Sequence, residues 1–167
     1  TATIERSTAS GNVYALDGSP YAGGLAGTAS SIIDSSASGD VISAVAGSWV
    51  GGLVGYMTGD VSGSSASGNV TASGSNVRAG GLVGFTTGGI STSIATGTVT
   101  AGASGVAGGL VGQASGALSS VRASGNVTGG DGAIVGGLAG RNYGQITQAI
   151  AIGDVTAGVG GSAGGLV

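Results

Sequence analysis

An all-β fold, a parallel β-solenoid of about six 28-residue coils with three short strands per coil, is predicted by three observations. First, the phrase Gly-Gly-Leu-(Val/Ala) recurs six times, with leucines at Leu25, Leu53, Leu82, Leu110, Leu138 and Leu166, at steps of 28, 29, 28, 28 and 28 residues. A fixed period of this size marks an array whose units bury their apolar faces only against their neighbours. Second, a marker glycine (Gly11, Gly39, Gly68, Gly97, Gly125, Gly153) has alanine two residues before it and valine two residues after it in every copy. Third, the residues around this glycine alternate. Positions −4, −2, +2 and +4 are small or apolar, and the positions between them are mostly Ser, Thr, Asn or Asp. Two-residue alternation with β-branched side chains is the pattern of extended chain with one face inward.

The elements of one coil follow in order. The Gly-Gly-Leu-Val run reads as a first strand centred on Leu25. A branched aliphatic seven residues before the marker glycine (Ile4, Ile32, Val61, Ile90, Leu118, Ile146) leads into a second strand over Ser35 to Ala37. Val41 to Ser43 forms the third, and Gly, Asn and Asp between the strands supply corners. Three strands in 28 residues cannot close a globule. Stacked coils can pair each strand with its equivalent in the next coil, about 4.8 Å away. Length differences fall only before Ile32 and in the tail after the third strand, where a solenoid tolerates them, because a slip within a strand would turn its face outward. A serine column at Ser7, Ser35, Ser64 and Ser93 is expected to face inward and to bond to a corner or to its own ladder. The array divides into a partial repeat 1–22, repeats 23–50, 51–79, 80–107, 108–135 and 136–163, and a partial repeat 164–167. Both ends fall within a repeat and carry no polar cap, so a segment of a longer array or a filament-forming unit is expected.

Composition narrows the function classes. Hydrophobic residues make up 41% of the 167 and charged residues 7%, with 40 glycines and one proline, which fits neither a disordered chain nor collagen. A net charge of −3 with no lysine leaves no basic footprint for nucleic acid. No apolar stretch is long enough to read as a membrane-spanning helix. Histidine, cysteine and lysine are absent, which removes the usual bases and nucleophiles, so no enzyme activity and no cofactor is expected.

The run Gly80-Gly81-Leu82-Val83-Gly84, followed by Ile90 and Ala95-Thr96-Gly97, resembles the GLUG repeat of large secreted bacterial proteins. So does Gly136-Gly137-Leu138-Ala139-Gly140-Arg141-Asn142-Tyr143-Gly144-Gln145-Ile146. The resemblance extends over essentially the whole chain. One departure stands out: where the family often has tyrosine before the alanine, this chain has Thr8, Ser36, Ser65, Ile94, Arg122 and Ile150. Similar repeats occur in surface adhesins, filamentous-haemagglutinin-like proteins and the non-catalytic parts of some immunoglobulin-cleaving peptidases. The resemblance implies export to the cell surface or beyond, a β-solenoid and a stalk, shaft or fibre role, and it brings no catalytic residues. The alternative is a binding module that recognises glycan or a host surface through a flat face, with ice binding as a further alternative.

Each candidate site has a plain structural counterpart. Asp40 and Asp154 share one repeat column four coils apart, too far for a working carboxylate pair. Gly129-Gly130-Asp131-Gly132 resembles a calcium-binding nonapeptide but occurs once, whereas that motif works in tandem. Gly158 to Ala163 brushes a dinucleotide fingerprint without a following helix. Asn69-Val70-Thr71 and Asn126-Val127-Thr128 fit the glycosylation pattern, but both arise from the repeat consensus. The threonine column Thr71, Thr100, Thr128 and Thr156 reads as a solvated strand face. Tyr56 and Phe85, neighbours in one column, and Trp49 could stack on sugar rings or seal a corner.

If the leucines point inward along an unbroken strand, then Ala26, Val54, Val83, Val111, Ala139 and Val167 point outward. Ala22, Val50, Ala79, Ala107, Val135 and Ala163 would flank them. Such an uncharged Ala/Val strip is a candidate lateral interface, for another copy or for neighbouring repeats of the parent chain. A glycine kink that turned both Leu and Val inward would remove it. The partners expected are therefore the chain itself, laterally or end to end, its neighbouring repeats, or glycan.

Overall fold

The computed structural model describes residues 3–18 and 20–167, which wind into a parallel β-solenoid with no helix. Every strand pairing is parallel and joins one coil to the next. The register is the one the repeat predicts. Val41, Val70, Val99 and Val127 stack, as do Ala37, Ala66 and Ala95, and Gly51, Gly80 and Gly108.

The earlier coils have five short strands and the last two have four, rather than three. In one coil they are Trp49–Gly51, Val54–Met57, Val61–Ser62, Ser65–Ala66 and Val70–Ala72. Stacking collects them into a six-stranded sheet before the Gly-Gly-Leu bend and a five-stranded sheet after it. A ten-stranded sheet then runs through the serine column, and a six-stranded sheet through the marker valines. The first strand expected from sequence is split because Gly52 and Leu53 bend the chain between Gly51 and Val54. The second is split at the serine column, where the preceding residue takes a left-handed conformation in every coil: Arg6, Asp34, Gly63, Thr92, Ser120 and Gln148 have φ between 47° and 59°. In the last two coils Val121 and Ala149 replace the serine, and the strand there runs on as Leu118–Ala123 and Ile146–Ala151.

The serine column satisfies its own polar groups inside the coil. The backbone N–H of Ser35 donates to Ser64 Oγ and that of Ser64 to Ser93 Oγ, both at 3.1 Å. Each hydroxyl in turn donates to a backbone carbonyl two residues earlier: Ser35 to Ile33, Ser64 to Ser62 and Ser93 to Ser91. A buried hydroxyl that both accepts and donates recovers in these bonds what it loses in hydration. The Asn/Asp column after the marker glycine works similarly at the surface. Asn12 Oδ1 accepts the N–H of Asp40, Asp40 Oδ1 that of Asn69, and Asn69 Oδ1 that of Thr98. Length differences sit where the sequence places them. Two residues lie between Ala29 and Ile32, against three between their stacked equivalents Met57 and Val61, and the tail loops vary likewise.

The interior is two apolar cores, not one. Leu53, Val54, Met57, Val61, Ala66 and their stacked equivalents fill the first. Val41, Val50, Val70, Ala72, Val77, Ala79 and theirs fill the second. Between them the coil is pinched. The second glycine of the repeat lies so close to the opposite wall that a Cβ on Gly52 would sit 3.0 Å from the Ala66 Cβ and collide with the Gly81 carbonyl oxygen of the next coil. Gly81 stands in the same relation to Ala95 and Gly109, and Gly109 to Ala123 and Gly137. The glycine–alanine pairing thus forms a narrow waist, repeated coil after coil.

Candidate functional site

The waist decides which way the Gly-Gly-Leu-Val side chains point. The N–H groups of Leu53 and Val54 both donate to the Leu82 carbonyl, at 2.9 and 3.1 Å. Those of Leu82 and Val83 converge on Leu110, and those of Leu110 and Val111 on Leu138. Two consecutive donors aimed at one carbonyl replace the alternation of a regular strand, and both side chains then face the same way. Leu53, Val54, Leu82, Val83, Leu110, Val111, Leu138 and Ala139 are all 0% exposed, and Ala26 packs half-buried against the same core. The outward strip Ala26, Val54, Val83, Val111 and Ala139 expected as a lateral interface is therefore interior. Its flanking column fares the same: Ala22, Val50, Ala79, Ala107 and Val135 line the second core. The reason is the bend at the second glycine, which resets the alternation.

What the bend turns outward is a concave face on the opposite side of the waist. Two columns look across it. One, four residues before the leucine, holds Tyr21, Trp49, Arg78, Val106 and Ile134. The other, three residues after it, holds Thr28, Tyr56, Phe85, Gln113 and Arg141. The aromatic rings interleave across the two columns. Tyr21 meets Trp49 at 5.0 Å between centroids, and Trp49 meets Tyr56 and Phe85 each at 4.8 Å. Arg78 places its guanidinium carbon 5.4 Å from the Trp49 ring centre and 5.7 Å from that of Phe85, and its Nε donates to Gln113 Oε1 at 2.9 Å. These rings and Arg78 are half-buried, as are Gln113 and Arg141. All the aromatic residues except Tyr14 and Tyr143 gather here.

Beside this cluster, Arg78, Val106, Arg141, Asn76 and Ser104 line an open groove of about 380 Å³. The sequence pointed to Trp49, Tyr56 and Phe85, and the structure brings them together. It left out Tyr21, Arg78, Gln113 and Arg141, because facing positions seven residues apart become visible only once the glycine pair is read as a fold in the chain.

The other candidates fall into turn and corner roles. Asp40 and Asp154 lie in one column, four coil steps apart, about 19 Å at the spacing of parallel strands. Asp131 Oδ1 accepts the N–H of Val159 in the next coil, as a turn residue does. Gly158 to Ala163 forms the tail turn and enters the strand Ser162–Gly164. Asn69 and Asn126 spend their side-chain oxygens on the backbone of the following coil. Thr71, Thr100, Thr128 and Thr156 stack outward in one column, which continues into Ile42 and Tyr14.

Comparison with known proteins agrees with this periodic frame. The model of the GLUG motif matches residues 18–42 and 46–71. Each matched segment runs from a tail turn through the Gly-Gly-Leu bend to just past the marker valine, which is most of one coil. No curated protein and no solved structure matches the chain. Two consecutive coils are thus GLUG motifs, consistent with a GLUG-repeat family, and the remaining coils stack on them column by column.

Proposed function

We propose that the chain is a load-bearing repeat segment, the stalk, shaft or fibre portion of an exported bacterial surface protein, adhesin or extracellular filament. The observation that carries this reading is the constancy of the cross-section. The two cores and the waist keep the same register from coil to coil, and variation falls on outward-facing strand positions, the serine column of the last two coils and the tail loops. Hydrogen bonds between coils run along the solenoid axis, so stiffness comes from backbone pairing and needs no disulfide. The cysteine-free, lysine-free composition rich in Gly, Ser, Thr, Ala and Val fits an exported location. The partners of such a shaft are neighbouring coils of its parent chain or further copies stacked on it. The alternative, recognition of glycan, rests on the aromatic–arginine groove. Ice binding has little support, because a single threonine column offers no two-dimensional lattice of hydroxyls.

Single-molecule force spectroscopy, with the chain held by its two termini, tests the shaft reading. Coils that hold under load release in discrete events, with contour gains in multiples of about 95 Å, the extended length of one 28-residue repeat. Smooth extension without any rupture peak would rule out a load-bearing role.

A further inference from the structure

We propose that the concave face outside the waist is a binding site for an anionic saccharide, a sugar chain that carries carboxylate or sulfate groups. The proposal does not depend on the shaft reading.

The chemistry available on this chain is concentrated there to a degree the rest of the surface does not approach. Tyr21, Trp49, Tyr56 and Phe85 each keep part of a ring at the surface in adjacent coils. Carbon-bound hydrogens of a pyranose pack well on such rings, and Tyr and Trp add a polar edge. Two of the four arginines, Arg78 and Arg141, flank the adjoining groove. Arg6, by contrast, is occupied by Glu5 at 3.2 Å.

Arg78 is held in place. Its guanidinium lies over two rings and its Nε is fixed by Gln113, so its orientation is set before a ligand arrives. Arg141 has no hydrogen bond or ion pair among the described residues, and no acidic side chain lines the groove. A planar, permanently charged fork of donors suits carboxylate and sulfate. Asn76 and Ser104 add neutral hydrogen-bonding groups on the same wall. The groove is lined by Gly47, Asn76 and Ser104, equivalent positions of three adjacent coils, so it runs along the solenoid axis and presents one coil about every 4.8 Å. A sugar chain lying along the groove meets several coils at once, and Arg78, which touches both the rings and the groove, joins the aromatic and arginine parts of the site.

Trp49 is the sole tryptophan, so its fluorescence reports on this face alone. The experiment is a titration of the purified chain at low salt with three hexasaccharides: one of hyaluronan, carrying carboxylates only; one of κ-carrageenan, carrying sulfates only; and one of cellulose, uncharged. The expected result is a saturable change in Trp49 emission with one or both charged probes, at least tenfold weaker with the uncharged one. Which charged probe binds tells carboxylate from sulfate. Arg141→Gln, which removes no hydrogen bond or ion pair among the described residues, should weaken binding about tenfold. Arg78→Gln should do so too, and Arg122→Gln, on the ten-stranded sheet away from the groove, should leave it unchanged. No saturable change with either charged probe overturns the proposal. Equal response to all three probes, or equal loss in Arg122→Gln and Arg141→Gln, also overturns it.

Discussion

Val83→Asp is expected to unfold the chain or to lower its stability by about 4–5 kcal/mol, the largest effect of any single substitution proposed for this protein. Val83 is 0% exposed in the first core, between Val54 and Val111 of the adjacent coils. A carboxylate there would have no charged partner. The nearest polar groups are backbone amides already bonded between coils, such as the Val83 N–H on the Leu110 carbonyl. Desolvation of an unpaired carboxylate is too costly for a domain whose total stability is of the order of 5–15 kcal/mol. The outward-strip reading would predict the opposite, since an aspartate on a solvent-facing strip would leave the melting temperature nearly untouched. Thermal unfolding followed by circular dichroism separates the two. A Val83→Asp chain with a wild-type melting curve would mean that the bend at Gly81 does not turn Leu82 and Val83 to the same side.

Gly81→Ala is expected to be the second largest, at about 3–5 kcal/mol, although it adds a single methyl group. The added carbon would run into the carbonyl oxygen of Gly109 and come within 3.0 Å of the Ala95 Cβ. The carbonyl cannot retreat without separating the coils, because the neighbouring Leu82 N–H bonds to Leu110 O at 2.8 Å. Steric overlap against backbone is not relieved by a rotamer change, unlike overlap against a long side chain. Gly165 supplies the internal control. It occupies the same column in the last coil, and nothing lies within 4 Å of where its Cβ would be. Gly165→Ala should therefore stay within about 0.5 kcal/mol of the parent. Chemical denaturation of the two variants checks both numbers. Equal losses at Gly81 and Gly165 would show that the penalty does not come from the waist, since backbone entropy alone favours alanine over glycine.

These two substitutions also mark where the sequence was legible and where it was not. The solenoid, its 28-residue step and its column register follow from the recurrence of Leu25, Leu53 and Leu82 and from the alternation about Gly39, because stacked identical coils leave few other ways to pair the backbone. The serine column was legible too, since Ser35 and Ser64 fall on the inward phase of that alternation. The strand count and the fate of the Gly-Gly-Leu-Val residues were not. Period-two reasoning assumes an unbroken strand, and the glycine pair breaks it. The need for glycine at Gly52 arises from Ala66, fourteen residues on, and from the next coil's Gly81, neither of which a local pattern can reveal. The concave face was hidden for the same reason. Trp49 and Tyr56 sit seven residues apart and would point to unrelated directions on a straight strand. They meet, 4.8 Å between ring centres, only because the waist folds one strand against the next.

Identical columns stacked coil on coil along one axis fix a long-range distance that can be measured. The chain has no cysteine, so Tyr14→Cys with Thr156→Cys offers two unique sites for spin labels. Both positions are exposed and belong to one column, linked through Ile42, Thr71, Thr100 and Thr128. Five coil steps place them about 24 Å apart at the spacing of parallel strands. Double electron–electron resonance should give a narrow distribution near that value, although 142 residues separate the labels. A broad distribution, or a sharp one far from it, would contradict the stacked-coil architecture and the functions argued from it.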